Sequence, residues 1–147
     1  MPVPVWIHII WMSLTTAVGT WSGYLGLIRA TLKGGKSPLP GRYTLRAHKW
    51  TGIVFYIMLY TGILYGMIMV DFLLGTGTEG LWWWHKMLAY AIGTIYFPAM
   101  LLGLGLLSHP AGKNRTKPIA HMLTNFTACT LIAVQFALAI YASGWLQ

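Results

Sequence analysis

Four long apolar stretches dominate the chain, and short segments rich in glycine, proline and basic residues separate them. The stretches run over about residues 5–28, 47–70, 81–107 and 119–146. Each reaches or exceeds the roughly 20 residues that an α-helix needs to cross a bilayer. Short connections place successive helices side by side and antiparallel. The pattern therefore predicts an all-α integral membrane protein, an antiparallel four-helix bundle that forms a single transmembrane domain over residues 1–147.

Composition leaves little of the chain outside the lipid. Of the 147 residues, 56% are hydrophobic and 8% are charged, whereas charged residues make up about a quarter of a soluble domain. The longest loop, from Arg29 to about Arg46, is too short to form a core of its own. The single cysteine, Cys129, excludes an intrachain disulfide and a CxxC or iron–sulfur framework. Any chemistry should therefore take place between the helices.

Basic residues are concentrated in two loops. If the loops alternate across the membrane, the first and third hold nine of the ten lysines and arginines, and the other side holds only Lys86. By the positive-inside rule these two loops face the cytoplasm, and both termini lie on the non-cytoplasmic side of a bacterial inner membrane or a thylakoid. Tyr43 is the one aromatic residue among the charges of these two loops, too few for a surface that stacks on bases, so we expect membrane lipid, and no nucleic acid, as a partner.

A histidine stands near the start of every apolar stretch. His8, His48, His85 and His121 follow one another at spacings of 40, 37 and 36 residues. Because successive helices run in opposite directions, His8 and His85 should lie near the outer face and the other two near the inner face. The first and third helices of an up-down bundle are diagonal neighbours, as are the second and fourth. Each pair of histidines would then face across the bundle.

Facing imidazoles suit an iron porphyrin, which takes one nitrogen ligand on each side of its plane. The placement predicts two haem b groups, one between His8 and His85 and one between His48 and His121, or a single haem if His8 is not a ligand. Small or polar neighbours and interfacial cations are the expected cofactor contacts, the cations meeting the propionates. These residues are Arg46, Lys49, Gly52, Lys86, Arg115 and Asn125.

Other interpretations of single residues remain open at this point. A lone histidine at a helix end is usually an amphipathic interfacial residue, and Met12, Met87 or Met122 could replace a histidine as axial ligand. A histidine in the first turn also leans toward the headgroups, so the helices should begin a turn or so before the apolar stretches. The two acids, Asp71 and Glu79, fall on the outer side and could accept protons from a quinol.

The chain resembles the small membrane-bound b-type cytochromes of the five-sixty-one kind, and among them four-helix relatives from photosynthetic lineages. The resemblance covers nearly the whole chain and rests on the basic Arg46-Ala-His48 start of the second helix and on the histidines that open the third and fourth. It implies ligands at His48 with His121 and at His8 with His85. It also implies electron transfer across or within the membrane, with quinone as a partner and other subunits of an electron-transfer complex beside the chain. Whether the chain is itself part of an oxidoreductase is left open.

Two further function classes compete with this one. A pigment-binding or scaffolding subunit of a photosynthetic or respiratory complex would use single histidines to ligate chlorophyll, whereas the histidines here fall in pairs. A small transporter would use them as proton relays, but it should also carry ionisable residues near the middle of the membrane. Apart from the histidines at the rims, the spans hold none there.

Overall fold

The computed structural model of the chain describes residues 3–32, 36, 38–73, 80–108 and 116–142. Nearly all of them lie in four α-helices, and a π-helical turn over Met69–Leu73 continues the second. The helices are α1 (Val3–Thr31), α2 (Leu45–Ile68), α3 (Gly80–Ser108) and α4 (Thr116–Ala142). All four are long and apolar enough to cross a membrane. The predicted all-α class is confirmed, and by length and composition the chain is an integral membrane protein.

Each helix begins before its histidine, as the direction of helical side chains requires. His48 is three residues after the first residue of α2, and His8, His85 and His121 are each five residues after the first residue of their helices. Thr44 caps α2, because its Oγ1 accepts the backbone N–H of Ala47 at 3.3 Å. The histidines therefore lie about one turn inside the helices.

The chain divides into two compact units, Met1–Gly62 and Ile63–Gln147, with the boundary inside α2. In the first unit, α1 and the greater part of α2 form an antiparallel hairpin. Near its open end the indole Nε1 of Trp11 donates to the carbonyl oxygen of Met58 at 2.9 Å. Gly19 allows close approach farther along, since a Cβ there would lie 2.5 Å from Cε2 of Phe55. We call this unit the first hairpin.

In the second unit, α3 and α4 form another antiparallel pair, which we call the second hairpin. The hydroxyl of the buried Tyr96 lies 3.3 Å from the Sγ of Cys129 midway along it. The helix α3 is continuous through Pro98, although proline has no N–H to offer the carbonyl of Thr94 one turn earlier. In both hairpins the start of the second helix packs against the last third of the first, at His48 and Ser22 and at His121 and Ala99.

Large apolar side chains point outward on all four helices. More than half of the surface of each of Trp21, Ile57, Trp84 and Phe126 is exposed. Exposed apolar surface on this scale is unusual for a protein in water, whereas acyl chains would cover it in a bilayer. The described end of the first loop packs back on α1, where the hydroxyl of Tyr24 donates to the carbonyl oxygen of Pro40 at 2.6 Å.

Candidate functional site

The imidazole of His48 is held by the backbone of the preceding helix. Its Nδ1 lies 3.0 Å from the carbonyl oxygen of Ser22. A carbonyl oxygen can only accept, so Nδ1 must carry the hydrogen. In a neutral ring the lone pair is then on Nε2, the arrangement found in histidines that ligate metals through Nε2. Gly26 makes room for the ring, because a Cβ there would lie 3.3 Å from Cε1 of His48.

His121 has the same surroundings in the second hairpin. Its Nδ1 lies 2.9 Å from the carbonyl oxygen of Ala99, so this ring also carries its hydrogen on Nδ1. Gly103 lies one turn after Ala99, and a Cβ there would lie 2.9 Å from Cε1 of His121. Two histidines from separate hairpins are thus fixed in one tautomer by the same kind of main-chain contact.

These contacts belong to a pattern that occurs twice in the chain. The second helices share Ala-His-x-x-Thr, at residues 47–51 and again 73 residues later at 120–124. The first helices share a small residue followed by glycine four positions on, at Ser22 and Gly26 and again 77 residues later at Ala99 and Gly103. Both threonines bond back to the turn that holds the histidine. Thr51 Oγ1 donates to Ala47 O at 2.8 Å, and Thr124 Oγ1 donates to Ala120 O at 2.8 Å.

Tyr43 lies beside His48 at the end of the first loop. The two ring centroids are 6.0 Å apart, and the guanidinium of Arg29 lies 5.7 Å from the tyrosine ring centroid. Burial raises the pKa of Tyr43, and the charge of Arg29 offsets part of that rise. The phenol therefore stays protonated at neutral pH, so it adds no negative charge near the imidazole.

His85, which the sequence assigns to the outer face, has surroundings that differ from those of His48 and His121. The side-chain Nε2 of Gln135 lies 3.1 Å from Nε2 of His85 and 2.9 Å from the carbonyl oxygen of the same residue. The nitrogen that would bind iron therefore already has a side chain of its own hairpin against it. His8, which the sequence also assigns to the outer face, is half-buried on α1, and its Nδ1 is buried.

The predicted cofactor contacts have varied surroundings. Arg46 is exposed in the first turn of α2, and the Nζ of Lys49 lies 5.8 Å from the ring centroid of Trp50. Gly52 adjoins α1, where an added Cβ would lie 3.6 Å from Ser22 Oγ. Arg115 lies outside the described residues.

Asn125 and Lys86 both have partners within the second unit. Asn125 Nδ2 donates to the carbonyl oxygen of His121 at 2.6 Å and lies 3.3 Å from its Nδ1. Lys86 Nζ binds both carboxylate oxygens of Asp71, at 2.6 and 2.9 Å. The Asp71 carboxylate, which the sequence offered as a proton acceptor, is therefore paired with a cation. Glu79, the other acid, lies outside the described residues.

The structure contains no cluster of protein ligands for a metal ion among the described residues. Nowhere in them do three or more His, Cys, Asp or Glu side chains lie close enough together to hold an ion. Two imidazole nitrogens are enough for the iron of a haem, since the porphyrin supplies the other four ligands. His48 in the first hairpin and His121 in the second each present one such nitrogen. In its neutral form each ring, with hydrogen on Nδ1, carries its lone pair on Nε2, which is the form that a haem ligand needs.

Sequence reasoning missed the residues that orient the histidines. Ser22, Gly26, Ala99 and Gly103 act through carbonyl groups and through the lack of a side chain, which no motif for metal ligands includes. Gln135 was missed because an amide among apolar residues carries no charge to mark it. The repeated Ala-His-x-x-Thr was the available signal.

Comparison of the chain with protein-family models, curated proteins and solved structures finds no match.

Proposed function

We propose that the chain is a b-type cytochrome that carries electrons across or within a membrane, and that His48 and His121 are ligands of its inner haem. The observation that carries the proposal is the shared state of these two rings. Each donates Nδ1–H to a main-chain carbonyl, at 3.0 and 2.9 Å, and each keeps its lone pair on Nε2. An interfacial histidine without a cofactor would need no such support in both hairpins.

The carbonyl groups would do more than orient the rings. A hydrogen bond from Nδ1–H to an acceptor makes Nε2 more basic and fixes the direction of its lone pair. Gly26 and Gly103 let each ring approach the first helix of its hairpin closely, since an added Cβ would lie 3.3 Å from Cε1 of His48 and 2.9 Å from Cε1 of His121. Bound haem would supply a one-electron carrier, and these residues would set its ligation and orientation.

The environment of the histidines agrees with an electron carrier. They lie about one turn inside apolar helices, where burial of neutral imidazoles costs less than burial of charged ones. Exposed Arg46 and Lys49 next to His48 could pair with propionates at the interface. A second haem between His8 and His85 belongs to the same proposal. Its support comes from the sequence spacing alone.

The chain has little room for a reaction centre of its own outside the membrane, so we place it as the membrane subunit of a quinone-linked electron-transfer complex. The membrane subunit would pass electrons between quinone and a partner that holds other redox groups. This placement rests on the length of the loops and on the resemblance stated above.

The test is a haem determination on the purified protein. We expect a pyridine haemochrome spectrum of haem b and a reduced-minus-oxidised difference spectrum in the wild-type chain. His48→Ala and His121→Ala should each remove the inner haem. Thr130→Val is the matched control, since Thr130 Oγ1 bonds only within α4, to Phe126 O at 3.0 Å. Extraction of chlorophyll, or full haem content in both alanine variants, would contradict the proposal.

A further inference from the structure

The repeated pattern of the two hairpins breaks down at their outer ends. In the register that matches the inner sites, His85 corresponds to His8, 77 residues earlier, and Gln135 corresponds to Gly62, 73 residues earlier. Gly62 has no side chain and meets the indole of Trp11, whose Cδ1 would lie 3.0 Å from an added Cβ. Of these two corresponding positions, only that of Gln135 holds an amide side chain. The amide contacts His85.

The main chain fixes which way the amide of Gln135 is turned. Its Nε2 lies 2.9 Å from the carbonyl oxygen of His85, and two oxygens at that distance would repel each other, so the nitrogen must be on this side. One of the two amide hydrogens goes to the carbonyl. The other points to Nε2 of the ring, 3.1 Å away. That ring nitrogen is therefore the acceptor, and its lone pair is engaged.

From this contact we infer that Gln135 competes with haem iron for Nε2 of His85, so that the outer haem site binds more weakly than the inner one. The inference rests on the proposed function. At His48 and His121 the hydrogen bond is on Nδ1 and supports ligation through Nε2. At His85 the hydrogen bond is on Nε2 itself and must break before iron can bind.

The surroundings of the amide of Gln135 indicate the cost of breaking its hydrogen bond to His85. Gln135 Oε1 is buried and has no hydrogen-bond partner among the residues that the structure describes. The amide nitrogen of Gln135 contacts both the ring and the carbonyl oxygen of His85. If Nε2 of His85 were a haem ligand, one amide hydrogen of Gln135 would have no acceptor there. Net hydrogen-bond contributions of this kind correspond to roughly a threefold to tenfold change in an equilibrium constant.

The first experiment needs no haem. In the haem-free, full-length chain labelled with nitrogen-15, we expect a coupling through the hydrogen bond between the Nε2 nuclei of Gln135 and His85. The chemical shifts of His85 should show hydrogen on Nδ1. Gln135→Leu should abolish the coupling, while Thr130→Val, in the same helix, should leave it unchanged. An Nε2-protonated His85 would overturn the inference.

The second experiment is a haem titration of the same protein, with the outer site defined as the haem that His85→Ala removes. Gln135→Leu should raise haem affinity at that site about threefold to tenfold and leave the inner site as in the wild type. Equal or lower affinity in Gln135→Leu would overturn the inference and leave the proposed function standing. A chain that binds no haem in any variant would instead defeat the proposed function, whatever the coupling shows.

Discussion

His121 donates its Nδ1 hydrogen to the main-chain carbonyl of Ala99 over 2.9 Å. The equivalent bond of His48 goes to a serine, Ser22, over 3.0 Å. The two acceptor residues have different side chains and make the same contact, because the acceptor is the peptide group. The orientation of both rings is therefore a property of the backbone, and it should respond to changes in helix packing more than to changes in side-chain chemistry.

Ser22→Ala should leave haem binding at His48 unchanged. The carbonyl remains, and alanine already occupies the equivalent position in the second hairpin. Ser22 is buried, so the change in stability should stay within about 1 kcal/mol, the typical worth of one hydrogen bond. Haem content per chain and thermal unfolding are the measurements. Loss of the inner haem in this variant would show that the hydroxyl, and not the carbonyl, positions the ring.

Gly103→Ala should displace the ring of His121. The new Cβ would lie 2.9 Å from its Cε1, closer than carbon atoms normally approach, and overpacking of this kind typically costs about 1–3 kcal/mol. We expect a loss of haem affinity of tenfold or more, together with an altered electron paramagnetic resonance signal of the oxidised haem. The matched control is Gly105→Ala, where nothing lies within 4 Å of the added Cβ.

Gly26→Ala should have the same effect at His48, but a smaller one. The added Cβ would lie 3.3 Å from Cε1 of His48, so a shift of a few tenths of an ångström relieves the contact. Gly23→Ala, with open space around the added Cβ, serves as its control. Haem affinities should rank wild type above Gly26→Ala and Gly26→Ala above Gly103→Ala. The reverse order would mean that these distances do not govern ligation.

Gly19→Ala should destabilise the first hairpin without altering the ligands. Its Cβ would lie 2.5 Å from Cε2 of Phe55, which is 4% exposed and has little room to move. We expect a loss of about 1–3 kcal/mol of stability, read as a lower unfolding temperature in detergent. Phe55→Leu in the same chain should recover part of the loss, because the shorter side chain vacates the space. A double variant no more stable than Gly19→Ala would point to another cause.

The Lys86–Asp71 ion pair allows a test of the predicted propionate contact. The two side chains are 21% and 36% exposed, and such pairs contribute about 0–1 kcal/mol. If Lys86 also binds a propionate, Lys86→Met should lower haem content at the outer site while Asp71→Asn should not. Equal haem content in both variants would assign Lys86 to the ion pair alone. The measurement is haem per chain, with Thr130→Val as reference.

Much of the fold could be predicted because its signals are local. Apolar length gives a helix that can cross a membrane whatever lies beside it, so the four spans were found within a few residues of their limits, as with the predicted start at 81 and the observed start at Gly80. Side-chain direction predicted that the helices begin a turn or so before the apolar stretches, and they begin one to three residues before them. The π-helical turn at Met69–Leu73 carries no signal of that kind and was not anticipated.

Only part of the candidate site could be predicted from the sequence. The four histidines stood out because each lies at the same place in its helix, but Gly26 and Gly103 act by lacking a side chain. Their importance appears only when the ring that would collide with them is known. Gln135 lies 50 residues from His85 in the chain, and no spacing rule joins an amide on one helix to an imidazole on another.

By itself the sequence determined the four helices, their limits and the position of a histidine near the start of each, because apolar length and chain direction are local properties. Only the tertiary structure decided which ring nitrogen of His48, His85 and His121 carries the hydrogen. Helices that are apolar on every side have no polar stripe to say which face meets a neighbour. Their rotation and register follow from close packing at small residues, and that packing places a carbonyl on one ring nitrogen and an amide on another.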